Sequence, residues 1–168
     1  MMRMTIEFVR LAPSDADVIS EIIHRWWIII YSGEITSGTA GLDDIFNREE
    51  RPEHVRAHMD KGMVYEKVLL DGEEIGLVAY IPVAPELYVD KLYLDSPVRG
   101  RGIGTKCMEH MFETARANGC SRAALVASEK NEPAHRFYQK TGFFKVGRSP
   151  VYDHLGVVGF RIRFERVL

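Results

Sequence analysis

The sequence predicts a mixed α/β (α+β) fold with one central, mostly antiparallel twisted sheet flanked by helices. A meander of short strands, joined by an Asp71-Gly72 hairpin signal, occupies the middle of the chain. The second half then alternates strand, helix, strand, helix and strand. The composition, 46% hydrophobic and 27% charged over 168 residues, is typical of one globular domain, which we expect to span residues 1–168.

Each element follows from periodicity and from the residues that end it. Alternating or continuous apolar runs predict strands over Ile6–Arg10, Met63–Leu70, Glu74–Ile81, Leu87–Leu94, Ala123–Ala127, Phe143–Gly147 and Val157–Val167, with Pro82 and Pro85 flanking a break. Apolar residues three and four positions apart predict helices after Pro13-Ser14-Asp15, over Leu42–Gly62 with a restart at Pro52, over Thr105–Asn118, and over Pro133–Thr141. Gly119 and Gly142 are expected to end the last two helices. Between the first two helices, the glycines of residues 32–41 predict a loop.

Bulk properties exclude several classes of protein. A net charge of −2 from 22 basic and 24 acidic residues gives no basic excess for a nucleic-acid surface. The longest apolar run, residues 26–31, is too short to cross a membrane, and the N-terminus lacks a signal-peptide core, so we expect a cytoplasmic protein. Cys107 and Cys120 lack the spacing of a disulfide framework or a zinc site and are expected as buried thiols.

The first long helix is apolar beyond a single stripe. Trp27, Ile28 and Ile29 lie outside the stripe formed by residues such as Ile19, Ile23 and Trp26. A face this wide suggests burial on two sides, a pocket lining or a subunit contact, which makes a homodimer possible.

A glycine cluster carries the main functional signal. Arg99-Gly100-Arg101-Gly102-Ile103-Gly104-Thr105 lies between a predicted strand and a predicted helix. Glycines let the backbone approach a ligand, and the helix adds unpaired amides and its positive dipole end, so this segment suits a diphosphate with Arg99 and Arg101 adding charge. Two alternatives remain, a turn that binds no ligand and a dinucleotide-binding site. The dinucleotide pattern GxGxxG needs a third glycine where this sequence has Thr105. No Gly-Lys-Ser/Thr follows, which excludes a P-loop.

Three segments together resemble the GCN5-related N-acetyltransferase (GNAT) family. Arg99-x-x-Gly102-x-Gly104 is similar to the family's cofactor signature, and Leu92-Tyr93-Leu94 upstream looks like its fourth-strand segment. Downstream, Asn131-x-x-Ala134-x-x-Phe137-Tyr138-x-x-x-Gly142-Phe143 looks like its second signature. The resemblance is strong over residues 64–148 and implies a GNAT-like acyl-CoA N-acyltransferase fold.

The resemblance implies transfer of an acetyl group from acetyl-CoA to an amine by direct attack in a ternary complex, without a metal. By the same resemblance, Gly100, Arg101, Gly102, Ile103, Gly104 and Thr105, with Arg99, hold the pyrophosphate. The backbone of Leu92, Tyr93 and Leu94 pairs with the pantetheine arm and offers an amide to the carbonyl oxygen. Asn131 contacts the cofactor, and Tyr138 protonates the leaving thiolate.

An ammonium acceptor must lose a proton before it attacks, and a carboxylate can take that proton directly or through water. Asp90 shares a strand face with Leu92 and Leu94 if no bulge intervenes, so it is the candidate general base, with a solvated strand-end acid as the alternative. Neither a third ligand nor a HExxH glutamate accompanies His54 and His58, so no metal is predicted. His135 is expected at an exposed helix position.

The resemblance implies that the acceptor is a small-molecule or peptide amine. The resemblance implies that residues 26–46 and a loop over residues 148–156 wall the acceptor site; their aromatic and acidic residues suit a small amine, a polyamine, an amino acid or a peptide N-terminus. Two other functions stay open, which are CoA or acyl-CoA binding without turnover and a dinucleotide-binding oxidoreductase.

Overall fold

The computed structural model describes residues 3–31, 49–95, 98 and 100–168. The strands are β1 (Ile6–Arg10), β2 (Val64–Leu70), β3 (Glu73–Val83), β4 (Glu86–Leu94), β5 (Arg122–Ser128), β6 (Phe144–Asp153) and β7 (Gly156–Val167). The helices in the described ranges are α1 (Ala16–Tyr31), α2 (Pro52–Asp60), α3 (Ile103–Ala117) and α4 (Glu132–Lys140). The predicted loop over residues 32–41 and the start of the predicted second helix, residues 42–48, lie outside the described residues.

The strands form one sheet in the order β1-β2-β3-β4-β5-β7-β6. The pairs β1–β2, β5–β7 and β6–β7 are antiparallel, whereas β4–β5 is parallel. The predicted mixed α/β fold with a central sheet and flanking helices is therefore confirmed. The chain divides into two compact units, Met1–Ala79 with Tyr93–Val98, and Tyr80–Leu92 with Arg99–Leu168.

In the first unit, the apolar stripe of α1 supplies much of the core. The stripe buries Ile19, Ile22, Ile23 and Trp26, as its helical spacing predicts. Ile28 and Ile29 lie outside the stripe and are 38% and 59% exposed. Two exposed isoleucines on one helix are compatible with a subunit contact, and the homodimer stays a prediction.

The Asp71-Gly72 signal forms the β2–β3 turn where the sequence predicts it. Both residues take positive φ angles, 51° and 86°, as the tight turn of a two-residue hairpin requires. Asp71 also fixes the turn to the start of β1, because its Oδ1 accepts a hydrogen bond of 2.9 Å from the Thr5 N–H. The turn and the first strand therefore stabilise each other.

In the second unit, both helices end at the predicted glycines. Gly119 follows α3 with φ at 84°, and Gly142 follows α4 with φ at 95°, which are left-handed conformations that glycine adopts readily. Both thiols are buried as expected, Cys107 fully and Cys120 with 6% exposure. Burial raises the pKa of the Cys120 thiol, so it stays protonated at neutral pH.

Three predicted boundaries are wrong. β3 runs through Pro82 to Val83, because a proline one residue from the strand end removes at most one ladder hydrogen bond. Residues 148–153, expected in a loop, belong to β6, which tolerates Pro150 because it lies at the sheet edge. α3 begins at Ile103, two residues before the predicted start at Thr105, so the helix includes Gly104. Across the described ranges, the longest helix has too few residues to cross a membrane.

Candidate active site

The two parallel strands of the second unit separate part-way along their length. β4 and β5 pair at Glu86↔Arg122, Leu87↔Ala123 and Tyr88↔Ala124, and their pairing stops there. β4 nevertheless continues to Leu94 and β5 to Ser128. Backbone groups of β4 after Tyr88 therefore lack a β5 partner, which leaves an edge that an extended, amide-containing ligand can pair with.

The glycine segment follows β4 and begins α3. Gly100 and Gly102 have φ angles of 79° and 77°, and Gly102 is the N-cap of the helix. Nothing lies within 4 Å of the position that a Cβ would take at either glycine, so the backbone is open on that side. The amides of Ile103, Gly104 and Thr105 have no acceptor within the helix. Open backbone beside unpaired amides fits an anionic diphosphate.

Of the two arginines predicted to contact the diphosphate, only Arg101 lies among the described residues. Arg101 is exposed beside these glycines, where a guanidinium would meet a bound anion. Arg99 lies outside the described residues. The first turn of α3 holds no acidic side chain that would repel an anion.

Asn131 begins α4, the helix that follows β5. Its Oδ1 accepts a hydrogen bond of 3.3 Å from the Ala134 N–H, so the side chain caps the helix. This cap accounts for an asparagine at this position without a ligand. Its cofactor contact stays a prediction.

Tyr138 lies on α4, in the middle of an aromatic cluster. Its half-buried ring meets Phe143 and Phe164 edge-on, with ring centroids 6.2 Å and 5.6 Å away. These contacts fix the ring on one side, which is what a positioned proton donor requires.

His135 is buried, not exposed as the sequence analysis expects. It is 3% exposed, lies 5.2 Å from Phe164 between ring centroids, and its Nε2 is 2.8 Å from the Ser128 carbonyl oxygen. A carbonyl only accepts, so Nε2 carries the proton and donates. The prediction failed because β7 supplies the covering residue, Phe164, from a distant part of the chain. His135 thereby joins α4 to the end of β5.

The register assigns the side chains of β4, β5 and β7 to two faces. One face, which we call the open face, carries every second residue of the three strands. These are Glu86, Tyr88, Asp90 and Leu92 of β4, Arg122, Ala124, Val126 and Ser128 of β5, and Arg161, Arg163 and Glu165 of β7. The helix face carries the alternate residues, including Leu87, Val89, Leu125 and Phe164, all buried. Because Phe164 packs against Tyr138 and His135, α4 covers the helix face.

Asp90 lies on the open face, two residues beyond the last β4–β5 pair. Burial alternates regularly along β4 as far as Tyr93, so Asp90 and Leu92 share a face as predicted, whereas Leu94 is buried. The Oδ2 of Asp90 lies 2.6 Å from the Nζ of the buried Lys91.

Tyr93 and Leu94 belong to the first unit. The Tyr93 hydroxyl accepts a hydrogen bond of 2.8 Å from Trp27 Nε1, and its ring stacks on Trp26 at 6.1 Å. These contacts turn the Tyr93 side chain to α1. The functional expectation concerns its backbone, which these side-chain contacts do not involve.

Sequence reasoning misses the charges of the open face. Glu86 accepts hydrogen bonds from Arg122 at 2.8 Å and Arg163 at 3.1 Å. Burial alone would raise the pKa of Glu86, but these two guanidinium groups lower it on balance. A pattern of alternate charged residues in the last strand is the signal that could have found this network. No group of three metal-ligating side chains occurs in the part of the chain described.

Comparison with known proteins identifies the class. The model of the acetyltransferase (GNAT) family matches residues 21–143, so the chain belongs to the GNAT family of acetyltransferases. A peptidyl-lysine N-acetyltransferase, YjaB of Escherichia coli K12, is 38% identical over 66 residues, covering 39% of this chain and 42% of YjaB. A mycothiol acetyltransferase of Corynebacterium glutamicum strain R is 34% identical over 89 residues, covering 51% of this chain and 30% of that protein. The matches thus span less than half of these relatives.

Solved structures confirm the GNAT-like fold over nearly the whole chain. The PaiA N-acetyltransferase of Thermoplasma acidophilum, solved in complex with coenzyme A, superposes with a TM-score of 0.73 at 17% identity. That alignment covers 99% of this chain and 100% of the other. At this level of identity, the likeness establishes the fold alone.

Proposed function

We propose that the protein is an N-acetyltransferase that moves the acetyl group of acetyl-CoA to a primary amine in a ternary complex. Membership of the GNAT family supports this reaction, and so do the relatives named for N-acetyl transfer and the PaiA structure that holds coenzyme A. One observation carries the proposal, which is the separation of β4 from β5 after Tyr88↔Ala124 beside the N-terminus of α3.

Acetyl-CoA supplies an activated acetyl group and a thiolate leaving group. Its diphosphate suits the open backbone of Gly100 and Gly102 and the amides of Ile103, Gly104 and Thr105, with Arg101 and Arg99 adding charge. Asn131, at the start of α4, is the second candidate contact. The peptide-like pantetheine arm suits the backbone of Leu92, Tyr93 and Leu94, as an added strand suits a sheet edge.

The residues divide the proton transfers between them. Asp90 takes a proton from the incoming ammonium, directly or through a water molecule, which leaves a lone pair on nitrogen for attack on the acetyl carbon. A backbone amide of the Leu92–Leu94 segment stabilises the negative charge that develops on the carbonyl oxygen. As the carbon–sulfur bond breaks, the Tyr138 hydroxyl protonates the thiolate.

Replacement of Tyr138 tests the chemical step. Tyr138→Phe keeps the ring contacts with Phe143 and Phe164 and removes the proposed acid, so turnover should fall by about 10²-fold or more. The measurement is thiol release from acetyl-CoA over a panel of amines, with the acetyl-CoA dissociation constant measured separately and expected to stay within about twofold. Tyr65→Phe removes the same group from a buried tyrosine of β2 and controls for stability. Unchanged turnover in Tyr138→Phe contradicts the acid role.

Ligand-dependent thermal stability separates the competing functions. Acetyl-CoA and CoA should both raise Tm, because a ligand that binds the folded state stabilises it by mass action. Stabilisation by NAD alone would refute the proposal in favour of a dinucleotide enzyme. Stabilisation by CoA without thiol release for any amine would indicate a non-catalytic CoA-binding domain.

A further inference from the structure

The acceptor has only one face of the sheet available to it. α4 covers the helix face through Tyr138 and His135, whose rings pack on Phe164. α3 lies on this face too, because its Phe112 contacts Arg166, which the register places on the helix face beside Ala123. A diphosphate at the N-terminus of α3 therefore brings acetyl-CoA to the helix face. An amine that attacks the acetyl carbon at the separated strands must then come from the open face, where Asp90 lies.

Most charges of the open face neutralise each other. Glu86 pairs with Arg122 and Arg163, and Arg163 also donates to Glu165 at 3.1 Å. Arg161 differs, because its side chain is exposed and forms neither a hydrogen bond nor an ion pair with any residue in the described ranges. The open face therefore offers one guanidinium whose donors are available to a ligand.

The register places Arg161 at the end of the sheet where the strands separate. Arg161 pairs with Ser128, the last residue of β5, while Asp90 lies beyond the last β4–β5 pair. β4 and β7 flank β5, so they lie two strand spacings apart, about 10 Å where paired. Arg161 and Asp90 thus face a common region of open sheet from opposite sides.

Tyr88 shares the open face with both charges. Burial raises the pKa of its phenol, the charge of Asp90 raises it further, and the charges of Arg161 and Arg163 oppose that rise. Both Asp90 and Arg161 are therefore close enough to act on one phenol. The phenol stays neutral at pH 7 and offers an aromatic surface with a polar end.

We propose that the acetyl acceptor is a zwitterionic small molecule, a primary amine that also carries a carboxylate, held by Arg161 with its amine directed to Asp90. The inference rests on the proposed N-acetyl transfer and narrows its acceptor class. An arginine binds a carboxylate with two parallel hydrogen bonds, and each end of a zwitterion meets the opposite charge here. A polyamine has no carboxylate to accept hydrogen bonds from Arg161, and a second positive charge near this guanidinium is unfavourable.

Matched acceptors test the inference. Each pair is an amino acid and its decarboxylated amine, lysine with cadaverine and tyrosine with tyramine, and the readout is kcat/KM for thiol release from acetyl-CoA. The native protein should favour the carboxylate-bearing member of at least one pair by about tenfold or more, the factor expected from charged hydrogen bonds. Arg161→Gln should remove that preference and change kcat/KM for tyramine, which carries a single positive charge, by less than about twofold.

A binding measurement gives a readout independent of turnover. In the presence of CoA, titration calorimetry with the N-acetylated amino acid should show binding about tenfold weaker in Arg161→Gln than in the native protein. Arg116→Gln removes another exposed arginine, from the last turn of α3, and should leave both readouts unchanged.

The outcomes separate the inference from the function on which it rests. The zwitterionic acceptor is wrong, and N-acetyl transfer stands, if thiol is released but the decarboxylated members react as well as the amino acids or better. The same conclusion follows if Arg161→Gln lowers kcat/KM equally for both members of a pair. If neither the pairs nor the wider amine panel releases thiol although acetyl-CoA binds, the proposed function fails and the inference fails with it.

Discussion

Gly76 of β3 is buried where the strand passes the backbone of Tyr93 in β4. A Cβ added at Gly76 would overlap the Tyr93 carbonyl oxygen and lie 2.9 Å from Leu94 Cδ2 and 3.1 Å from the Tyr93 carbonyl carbon. Two of these three atoms are backbone, so rotation of a side chain cannot relieve the overlap. Gly76→Ala must therefore displace β4 at the segment proposed to pair with the pantetheine arm.

The magnitude follows from two opposing terms. Overpacking of this kind costs about 1–3 kcal/mol, while replacing glycine by alanine recovers about 0.4–1 kcal/mol through the unfolded chain. We expect a net loss of about 1–2 kcal/mol, which for a chain of this size lowers Tm by about 2–8 °C. Acetyl-CoA should bind about three- to tenfold more weakly, the loss of about one backbone hydrogen bond.

The assay is thermal unfolding together with calorimetric titration of acetyl-CoA. Gly147→Ala provides the matched control, because Gly147 also lies in a strand but nothing stands within 4 Å of its Cβ position and its φ is not positive. The control should keep native stability and affinity. If Gly76→Ala behaves like Gly147→Ala in both measurements, the close approach of β3 and β4 does not maintain the site.

Two further predictions concern the glycine segment and the charged network. Gly102→Leu should weaken acetyl-CoA binding about tenfold or more. Gly72→Leu, at a similar φ of 86° and with equally open surroundings, should lower the free energy of unfolding by about 1–2 kcal/mol, as Gly102→Leu does, without affecting acetyl-CoA affinity. Equal acetyl-CoA affinity in both variants contradicts a ligand at Gly102. The pKa of Glu86 is lowered in the folded state from 4.5, so its stabilising effect is complete above that value and is lost as pH falls through the folded-state pKa. Glu86→Gln should therefore be less stable than the native protein at pH 7, with a difference in free energy of unfolding that closes in acid; a difference that does not change with pH counts against the network.

The fold was predictable because local signals and long-range packing agree. The Asp71-Gly72 turn, the α1 stripe and the stop glycines of α3 and α4 each depend on nearby residues, and each forms as expected. Pro82 misled the prediction of where β3 ends, because a proline's effect depends on the strand's neighbours in the sheet, which are distant in sequence. His135 was misjudged for the same reason, since Phe164 covers it from the far end of the chain.

The site was predictable only as far as its motifs reach. Gly100, Gly102, Asn131 and Tyr138 lie in two short signatures, so resemblance finds them. The ion pair between Asp90 and Lys91 has no spacing signature, and Arg161 becomes notable only because the register of β7 places it on the open face while Arg163 is already paired. Arg161, which is proposed to hold the acceptor's carboxylate, is accordingly a residue that sequence reasoning missed.

The contacts of Tyr93 give the protein an intrinsic optical reporter. The chain has two tryptophans, and both contact this one residue, Trp26 by stacking and Trp27 through its indole N–H. Because the Tyr93 backbone lies in the segment proposed to pair with pantetheine, a ligand that moves it changes the surroundings of both fluorophores together. Tryptophan emission therefore follows events at this part of β4 without a label.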